Sequence, residues 1–234
     1  MLLLTLGLLA GLITTLAGLG GGLMLVLTLA LLYDPHVALV ATAPALLVGN
    51  LHRLTLFRGH LTWDVSGRLV AGALPGAFAG GLVAVNLPPE VLKALMSGMV
   101  LLLLLKRLLP QGRDLPRRVI TPAGFLIGGL TASSGGAGIL TTPMILASGV
   151  AGDAFIATAA SGAVSMHIGR LAAYGAGGLV DGQRLWWALL LGIGIPLGNL
   201  VGRAVRVRIS ETAKLRCTYV ALAGCLGLAL AGVG

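Results

Sequence analysis

The stretch AGLGGG at residues 17–22 interrupts an apolar segment that covers residues 2–33. A second stretch, SSGGAG at residues 133–138, interrupts another apolar segment at 121–148. Glycine has no side chain and accepts positive φ angles, so each stretch predicts a point where the chain reverses. The arms of the second segment have about 11 to 13 residues, whereas a helix needs ~20 to cross the hydrocarbon core. We interpret each segment as two half-helices that meet inside a membrane.

The two breaks are parts of an internal repeat. Most of its matches lie 117 residues apart, namely Gly7, Gly11, Gly18 and Gly21 with Gly124, Gly128, Gly135 and Gly138, and Arg53 and Phe57 with Arg170 and Tyr174. Thr42 returns as Thr158 after a slip of one residue, and Gly76 and Gly80 return as Gly198 and Gly202 after a short insertion. Membrane proteins built from two copies of one unit usually hold their ligands between the copies.

The composition is that of an integral membrane protein. Hydrophobic residues make up 57% of the 234, charged residues make up 10%, and the mean hydropathy is +1.00. A soluble domain carries about 25% charged residues. Long apolar runs such as 91–105 favour helices over the alternating strands of a barrel. We attribute the net charge of +9 to Lys and Arg residues in loops that face the cytoplasm. The expected partner is therefore the lipid bilayer, and no nucleic acid.

Six further apolar stretches have spanning length. They cover 37–57, 66–85 and 90–109 in the first half, and 153–174, 183–205 and 211–233 in the second. The predicted fold is an all-α integral membrane protein with two repeats, at 1–109 and 121–234, joined by a cytoplasmic linker at 110–120. Each repeat consists of a glycine-broken helical hairpin followed by three transmembrane helices.

The distribution of positive charge predicts the orientation of the repeats. Thirteen of the sixteen Lys and Arg residues lie near the first loop of the first trio, in the linker, or near the last loop. Three crossings per half bring all three clusters to one face, which the positive-inside rule assigns to the cytoplasm. An odd number of crossings inverts the second repeat relative to the first. Both termini are then expected outside.

The glycine breaks are the first candidate binding elements. Half-helices that begin just after Gly22 and Gly138 would direct the positive ends of their dipoles into the protein, where backbone N–H groups bind anions. The alternative is close helix packing through small residues. The predicted binding residues of the breaks are Gly20, Gly21, Gly22, Ser133, Ser134, Gly135, Gly136 and Gly138.

Arg53 and Arg170 are the second candidate, since they are repeat-matched cations inside apolar segments. A charge is energetically unfavourable there, so such a residue usually has a function. The planar guanidinium suits sulfite, sulfonate or carboxylate oxygens. The alternative is that each side chain extends to the nearest interface. His52 and His167 lie beside the two arginines, and His167 is a candidate proton carrier or a hydrogen-bonded core residue.

Neutral polar residues inside the apolar helices complete the predicted site. They are Thr42, Asn50 and Thr158, which either contact the ligand or join helices through hydrogen bonds. The seven acidic residues all fall at predicted helix ends or in the linker. A carrier of cations would need a carboxylate in the membrane interior. The sequence therefore favours an anionic substrate, and it predicts no metal, cofactor or catalytic residue.

The order of these motifs resembles a known family. The glycine-rich break at 17–22 is followed by ATA at 41–43, RGHLTWD at 58–64 and LPGAFAGG at 74–81. This order is similar to that of the TauE/SafE sulfite exporters, which are permeases of the bacterial inner membrane. The resemblance implies transport of small sulfur-containing anions such as sulfite, sulfoacetate and other organosulfonates. Val26 and Leu27 stand where members often carry a proline, which Pro143 keeps in the second half.

Three functions follow as hypotheses. The first is a secondary transporter or exporter that works by alternating access and holds the anion between the repeats. The second is a passive anion channel on the same fold, which the sequence does not distinguish from a carrier. The third is an intramembrane serine protease using Ser133 or Ser134 with His167, although the Gly-x-Ser-x-Gly elbow is missing. We expect a transport protein and no enzyme.

Overall fold

The computed structural model describes residues 1–17, 20–105 and 115–206, together with isolated residues between 208 and 223. This part of the chain contains nine α-helices and no β-strand. The helices are α1 (Leu2–Ala17), α2 (Gly21–Leu32), α3 (Pro35–Phe57), α4 (Trp63–Val85), α5 (Pro89–Leu105), α6 (Ile120–Ser134), α7 (Ala137–Ala147), α8 (Gly152–Ala176) and α9 (Gly182–Arg206). Short 3-10 turns at Arg58–His60 and Arg117–Val119 precede α4 and α6.

The predicted all-α class is confirmed for these residues. Three segments are long and apolar enough to cross a membrane, namely Pro35–His60, Trp63–Val85 and Gly182–Val205. They match three of the predicted spans. The helix α8 has 25 residues, but it carries more polar side chains. Three predicted segments lie wholly or mostly outside the described residues. They are the span at 211–233, residues 106–109 of the span at 90–109, and residues 110–114 of the linker.

Both predicted helix breaks are present. The four arms α1, α2, α6 and α7 have 16, 12, 15 and 11 residues, so each is shorter than a membrane crossing. The second arms begin at Gly21 and Ala137, and the prediction that they begin after Gly22 and Gly138 was wrong. The physical reason is that Gly20 (φ 93°) and Gly135 (φ 73°) take up the reversal, so the helix resumes soon afterwards.

The tips of the hairpins are tightly packed. A Cβ atom at Gly21 would collide with the carbonyl oxygen of Ala10, so the start of α2 lies directly against α1. A Cβ atom at Gly135 would come within 2.6 Å of the Val26 side chain. The tip of the second hairpin therefore packs against α2 of the first.

Glycines also bring two pairs of parallel helices into backbone contact. Along α1 and α9, added Cβ atoms at Gly11 and Gly198 would collide with the carbonyls of Ile195 and Leu8. The helices α4 and α6 pack in the same way, and a Cβ atom at Gly72 would collide with the carbonyl of Thr121. Such close approach is typical of small residues at helix interfaces in membranes, where burial of apolar surface gives little driving force.

A third helix joins each of these pairs. The helix α3 lies parallel to α9, where the Asn199 side-chain amide donates to the Gly49 carbonyl over 2.9 Å. The helix α8 lies parallel to α4, where Ser66 and Ser161 share a hydrogen bond of 2.5 Å. We call α1, α3 and α9 unit A, and α4, α6 and α8 unit B.

The two units meet along α3 and α8, which run antiparallel. Thr42, in the first half of α3, contacts Arg170 near the end of α8. Phe57, at the end of α3, shares a buried apolar cluster with Phe155 near the start of α8. Thr42 and Arg170 of the candidate site lie at this interface.

The glycine contacts lead to a prediction about stability. We expect Gly72→Ala to lower the stability of the protein by about 1–3 kcal/mol, because the added methyl group would force α4 away from α6. The matched control is Gly67→Ala on the same helix, where no atom lies within 4 Å of the added Cβ. This change should be neutral or stabilising by up to ~1 kcal/mol. Thermal unfolding in detergent measures both, and equal midpoints would contradict the close contact.

Candidate functional site

Both arginines lie inside the protein. Arg53 on α3 is 4% exposed and Arg170 on α8 is fully buried. Extension of these side chains to an interface would leave the guanidinium groups exposed, which is not what the structure has. A buried guanidinium must be satisfied by neighbouring acceptors or by a bound anion.

Arg53 is held at the end of the first hairpin arm. Its Nη2 donates to the Asn50 side-chain oxygen over 2.7 Å, and its Nη1 donates to the Thr14 carbonyl over 3.4 Å. Its Nε has no hydrogen-bond partner. Thr14 lies three residues before the end of α1, so Arg53 is close to the first break.

Arg170 lies near the second break. Its Nη2 donates to the Thr42 hydroxyl over 3.4 Å, while Nε and Nη1 have no partner. The Tyr174 hydroxyl is beside this guanidinium and donates to the Ala132 carbonyl in the last turn of α6. Each arginine therefore lies at the tip of the hairpin of its own sequence half, and Arg170 also reaches across to the other half through Thr42.

Neither arginine has an acidic partner among the described residues. The ion pairs of that part of the chain all lie at helix ends, where Asp34, Asp64 and Asp181 pair with nearby His or Arg residues. Removing a charge from water costs several kcal/mol unless it is paired and hydrogen-bonded. The two arginines thus provide positive charge and unused N–H donors that a bound anion would satisfy.

His167 lies within electrostatic range of both arginines. It is 2% exposed, its Nδ1 has no partner, and the charges of Arg170 and Arg53 both act on it. Its repeat mate at an offset of 117 is Asn50, which binds Arg53. This match was missed from the sequence, although the fixed offset could have revealed it.

The two repeat-matched threonines differ in their contacts. Thr42 is buried, accepts from Arg170 and donates to the Leu39 carbonyl over 3.3 Å. Thr158 is equally buried, but its hydroxyl has no partner. Because α3 and α8 are antiparallel, Thr158 lies toward the Arg53 end of their interface. Tyr174 was missed as a site residue, although it follows Arg170 by one helical turn.

The breaks offer backbone groups more than side chains. The hydroxyls of Ser133 and Ser134 both donate to the Leu130 carbonyl, at 3.1 and 2.6 Å, and neither is bonded to His167. No side chain caps α2 at Gly20 or α7 at Gly136. The first N–H groups of a helix have no partner within the helix itself, so they can bind other groups. Gly22 and Gly138 lie within the first turns of these two helices.

Metal ligands do not cluster in this region. Within the described ranges, no group of three or more His, Cys, Asp or Glu side chains could hold a metal ion.

The fold and the site together define a polytopic helical membrane protein with a positively charged interior. The chain belongs to the sulfite exporter TauE/SafE family, whose model matches residues 3–230. Comparisons with curated proteins and with solved structures gave no match. The predicted family is thereby confirmed, and with it a membrane location and a transport class whose substrate is a small anion such as sulfite.

The lack of acidic partners leads to a second prediction about stability. Without added anion, Arg170→Met should unfold at the same or a higher temperature than the unaltered protein. Replacing a buried charge by an apolar side chain of similar length is often neutral or stabilising by about 1–4 kcal/mol. Arg68→Met, which breaks an exposed pair with Asp64, is the control and should change stability by less than ~1 kcal/mol.

Thermal unfolding in detergent compares these variants. A clear loss of stability in Arg170→Met, beyond that of Arg68→Met, would mean that Arg170 stabilises the fold and is not held available for a ligand.

Proposed function

We propose that this protein is a secondary transporter that exports sulfite or small organosulfonates by alternating access. The observation that carries the proposal is the pair of buried arginines without acidic partners, at the interface of two helical units. Family membership supports the substrate class. Arg53 and Arg170 would bind the oxyanion, with Thr42, Asn50, Thr158 and His167 beside them, and with the N-termini of α2 and α7 directed at the same region.

The helix pairings support an inverted repeat of residues 1–109 and 121–234. In the repeat, α1 corresponds to α6, α3 to α8 and α4 to α9. When each helix is replaced by its mate, the α1–α9 pair becomes the α6–α4 pair, and the α3–α9 pair becomes the α8–α4 pair. Parallel packing holds within each of these pairs, while the repeat mates α3 and α8 are antiparallel. These directions are those of two copies related by a rotation about an axis in the membrane plane.

The same pairings suggest which bodies move. Unit A takes α1 and α3 from the first half and α9 from the second, whereas unit B takes α6 and α8 from the second half and α4 from the first. Within each unit the helices touch through backbone atoms at glycines, and such contacts resist sliding. The α3–α8 interface instead carries unsatisfied polar groups. We therefore propose that units A and B rock against each other, rather than one sequence half against the other.

Positive charges gather at one end of the helices. Arg117 pairs with Asp64 at the start of α4, and Arg203 lies 5.8 Å above the Phe57 ring at the end of α3. Arg58 and Arg68 belong to the same end. We propose that this end faces the cytoplasm of a bacterial cell, that the membrane is the cytoplasmic (inner) one, and that both termini lie outside.

This orientation can be tested with single cysteines in a chain whose Cys217 and Cys225 have been replaced by alanine. Gly59→Cys and Gly182→Cys are suitable because an added Cβ meets no atom within 4 Å at either position. In intact cells, a membrane-impermeant maleimide should label Gly182→Cys only, and Gly59→Cys should react after the membrane is opened. Reversed labelling would invert the proposed topology.

Sulfite flux into proteoliposomes tests the function itself. We expect saturable flux, and a loss of roughly 10- to 150-fold in transport efficiency for Arg170→Gln and Arg53→Gln, since hydrogen bonds to a charged group contribute about 1.5–3 kcal/mol each. Arg68→Gln, on the surface, is the control and should retain flux. Without saturable flux in the unaltered protein, or without any loss in Arg170→Gln, the proposal fails. Conductance far above carrier turnover would favour the passive channel.

A further inference from the structure

We propose that the site takes compact oxyanions whose polar groups can all accept hydrogen bonds, and that it rejects zwitterions such as aminosulfonates. The inference rests on the proposed function, because it assumes that the arginine site is where the sulfur anion binds. It adds a rule of selectivity that separates sulfonates from one another by charge.

Most of the unsatisfied groups near the two arginines are hydrogen-bond donors. Arg53 Nε and Arg170 Nε and Nη1 are buried without partners, and a guanidinium nitrogen can only donate. The buried Thr158 hydroxyl and His167 Nδ1 are also unpaired, and each of them can donate or accept. A ligand that satisfies this set must bring several acceptors, as the oxygens of sulfite or a sulfonate do.

The nearby acceptor oxygens already take part in hydrogen bonds. The Asn50 side-chain oxygen and the Thr14 carbonyl accept from Arg53. At the second break, the Ala132 carbonyl accepts from Tyr174, and the Leu130 carbonyl accepts from two serines. Apart from the Thr158 hydroxyl and His167 Nδ1, an ammonium group entering the site would have to share these oxygens with the donors that they already bind.

The charges around the site also disfavour an ammonium group. The acidic residues in the described part of the chain lie at helix ends, where Asp34 caps α3 and Asp64 and Asp181 pair with arginines. Glu90 and Asp153 lie in the first turns of α5 and α8. An ammonium group would therefore meet two guanidinium charges and no carboxylate within these residues. Juxtaposed like charges are an effective means of rejecting the wrong ligand.

Two sulfonates of nearly the same size separate this rule from a simple size limit. In 2-hydroxyethanesulfonate the second polar group is a hydroxyl, which can accept from Thr158 or donate to His167. In 2-aminoethanesulfonate the same position carries an ammonium group. The two compounds share the sulfonate and the carbon chain, so a difference in their binding reports the replacement of the hydroxyl by the ammonium group.

The experiment is competition against labelled sulfite, with the full-length protein in proteoliposomes. We expect the hydroxy compound to compete at concentrations about 100-fold lower than the amino compound, or better. Equal competition by the two would overturn the inference, and so would binding of sulfite without competition from either sulfonate. Failure of sulfite itself to bind would instead count against the proposed function.

A variant tests whether Thr158 lies in the site that discriminates between the two sulfonates. Thr158→Asp places a carboxylate at the position of the unpaired hydroxyl. It should reduce the ratio of the concentrations at which the two sulfonates compete at least 10-fold. Thr55→Asp, at an exposed threonine of α3, is the control and should leave the difference unchanged. An unchanged difference in a folded Thr158→Asp protein would overturn the assignment of Thr158 to the site. If that variant does not fold, the comparison of the two sulfonates on the unaltered protein still decides the main inference.

Discussion

Backbone contact between parallel helices, made through glycine, is the constraint on which the rest of this structure depends. In lipid, apolar side chains gain little by leaving one hydrocarbon environment for another, so helices associate through close packing and polar bonds. The α1–α9 and α4–α6 pairs have this close packing on facing glycine surfaces. Once the two pairs have formed, α3 and α8 are each held along one side, and only their facing sides remain to form an interface. The positions of Arg53 and Arg170 follow from that arrangement.

The interior thus combines tightly packed units with a polar interface that is incompletely satisfied. Asn199 illustrates the packed regions, since it accepts from Thr15 on α1 and donates to Gly49 on α3, and so ties together the three helices of unit A. At the α3–α8 interface, by contrast, several donors of the two arginines have no acceptor. Cores that are packed in this way shift between discrete arrangements instead of deforming gradually. In the proposed alternating access, the shift would occur at the interface with unused hydrogen-bonding groups.

Much of the fold could be predicted from sequence because the signals were local. Glycine runs mark the reversals, long apolar runs mark the spans, and the fixed offset of 117 marks Arg53 and Arg170 as a pair. The partner of each helix could not be predicted in this way. Glycine spacing shows that α1 and α4 each have a small-residue face, but it does not reveal which helix lies against it. The start of each second arm also depended on a single backbone angle, at Gly20 or Gly135.

The residues of the candidate site divide in the same way between local and tertiary signals. The arginines and the repeat-matched threonines could be predicted from their type and periodicity, because a cation in an apolar segment is conspicuous. The link between Arg170 and Thr42, and the position of Tyr174 against the second break, depend on tertiary contacts between residues distant in sequence.

The interleaving of the two sequence halves also constrains how this chain is made. Residues 184 positions apart, Thr15 and Asn199, bond in the finished protein. During synthesis, α1 therefore enters the membrane long before α9 exists, and its glycine face must be covered meanwhile by lipid or by the insertion machinery. The first half cannot complete unit A by itself, and the second half cannot complete unit B. Unit A is thus completed only after α9 is inserted, and a ribosome that stops after the first half leaves two incomplete units instead of one finished half.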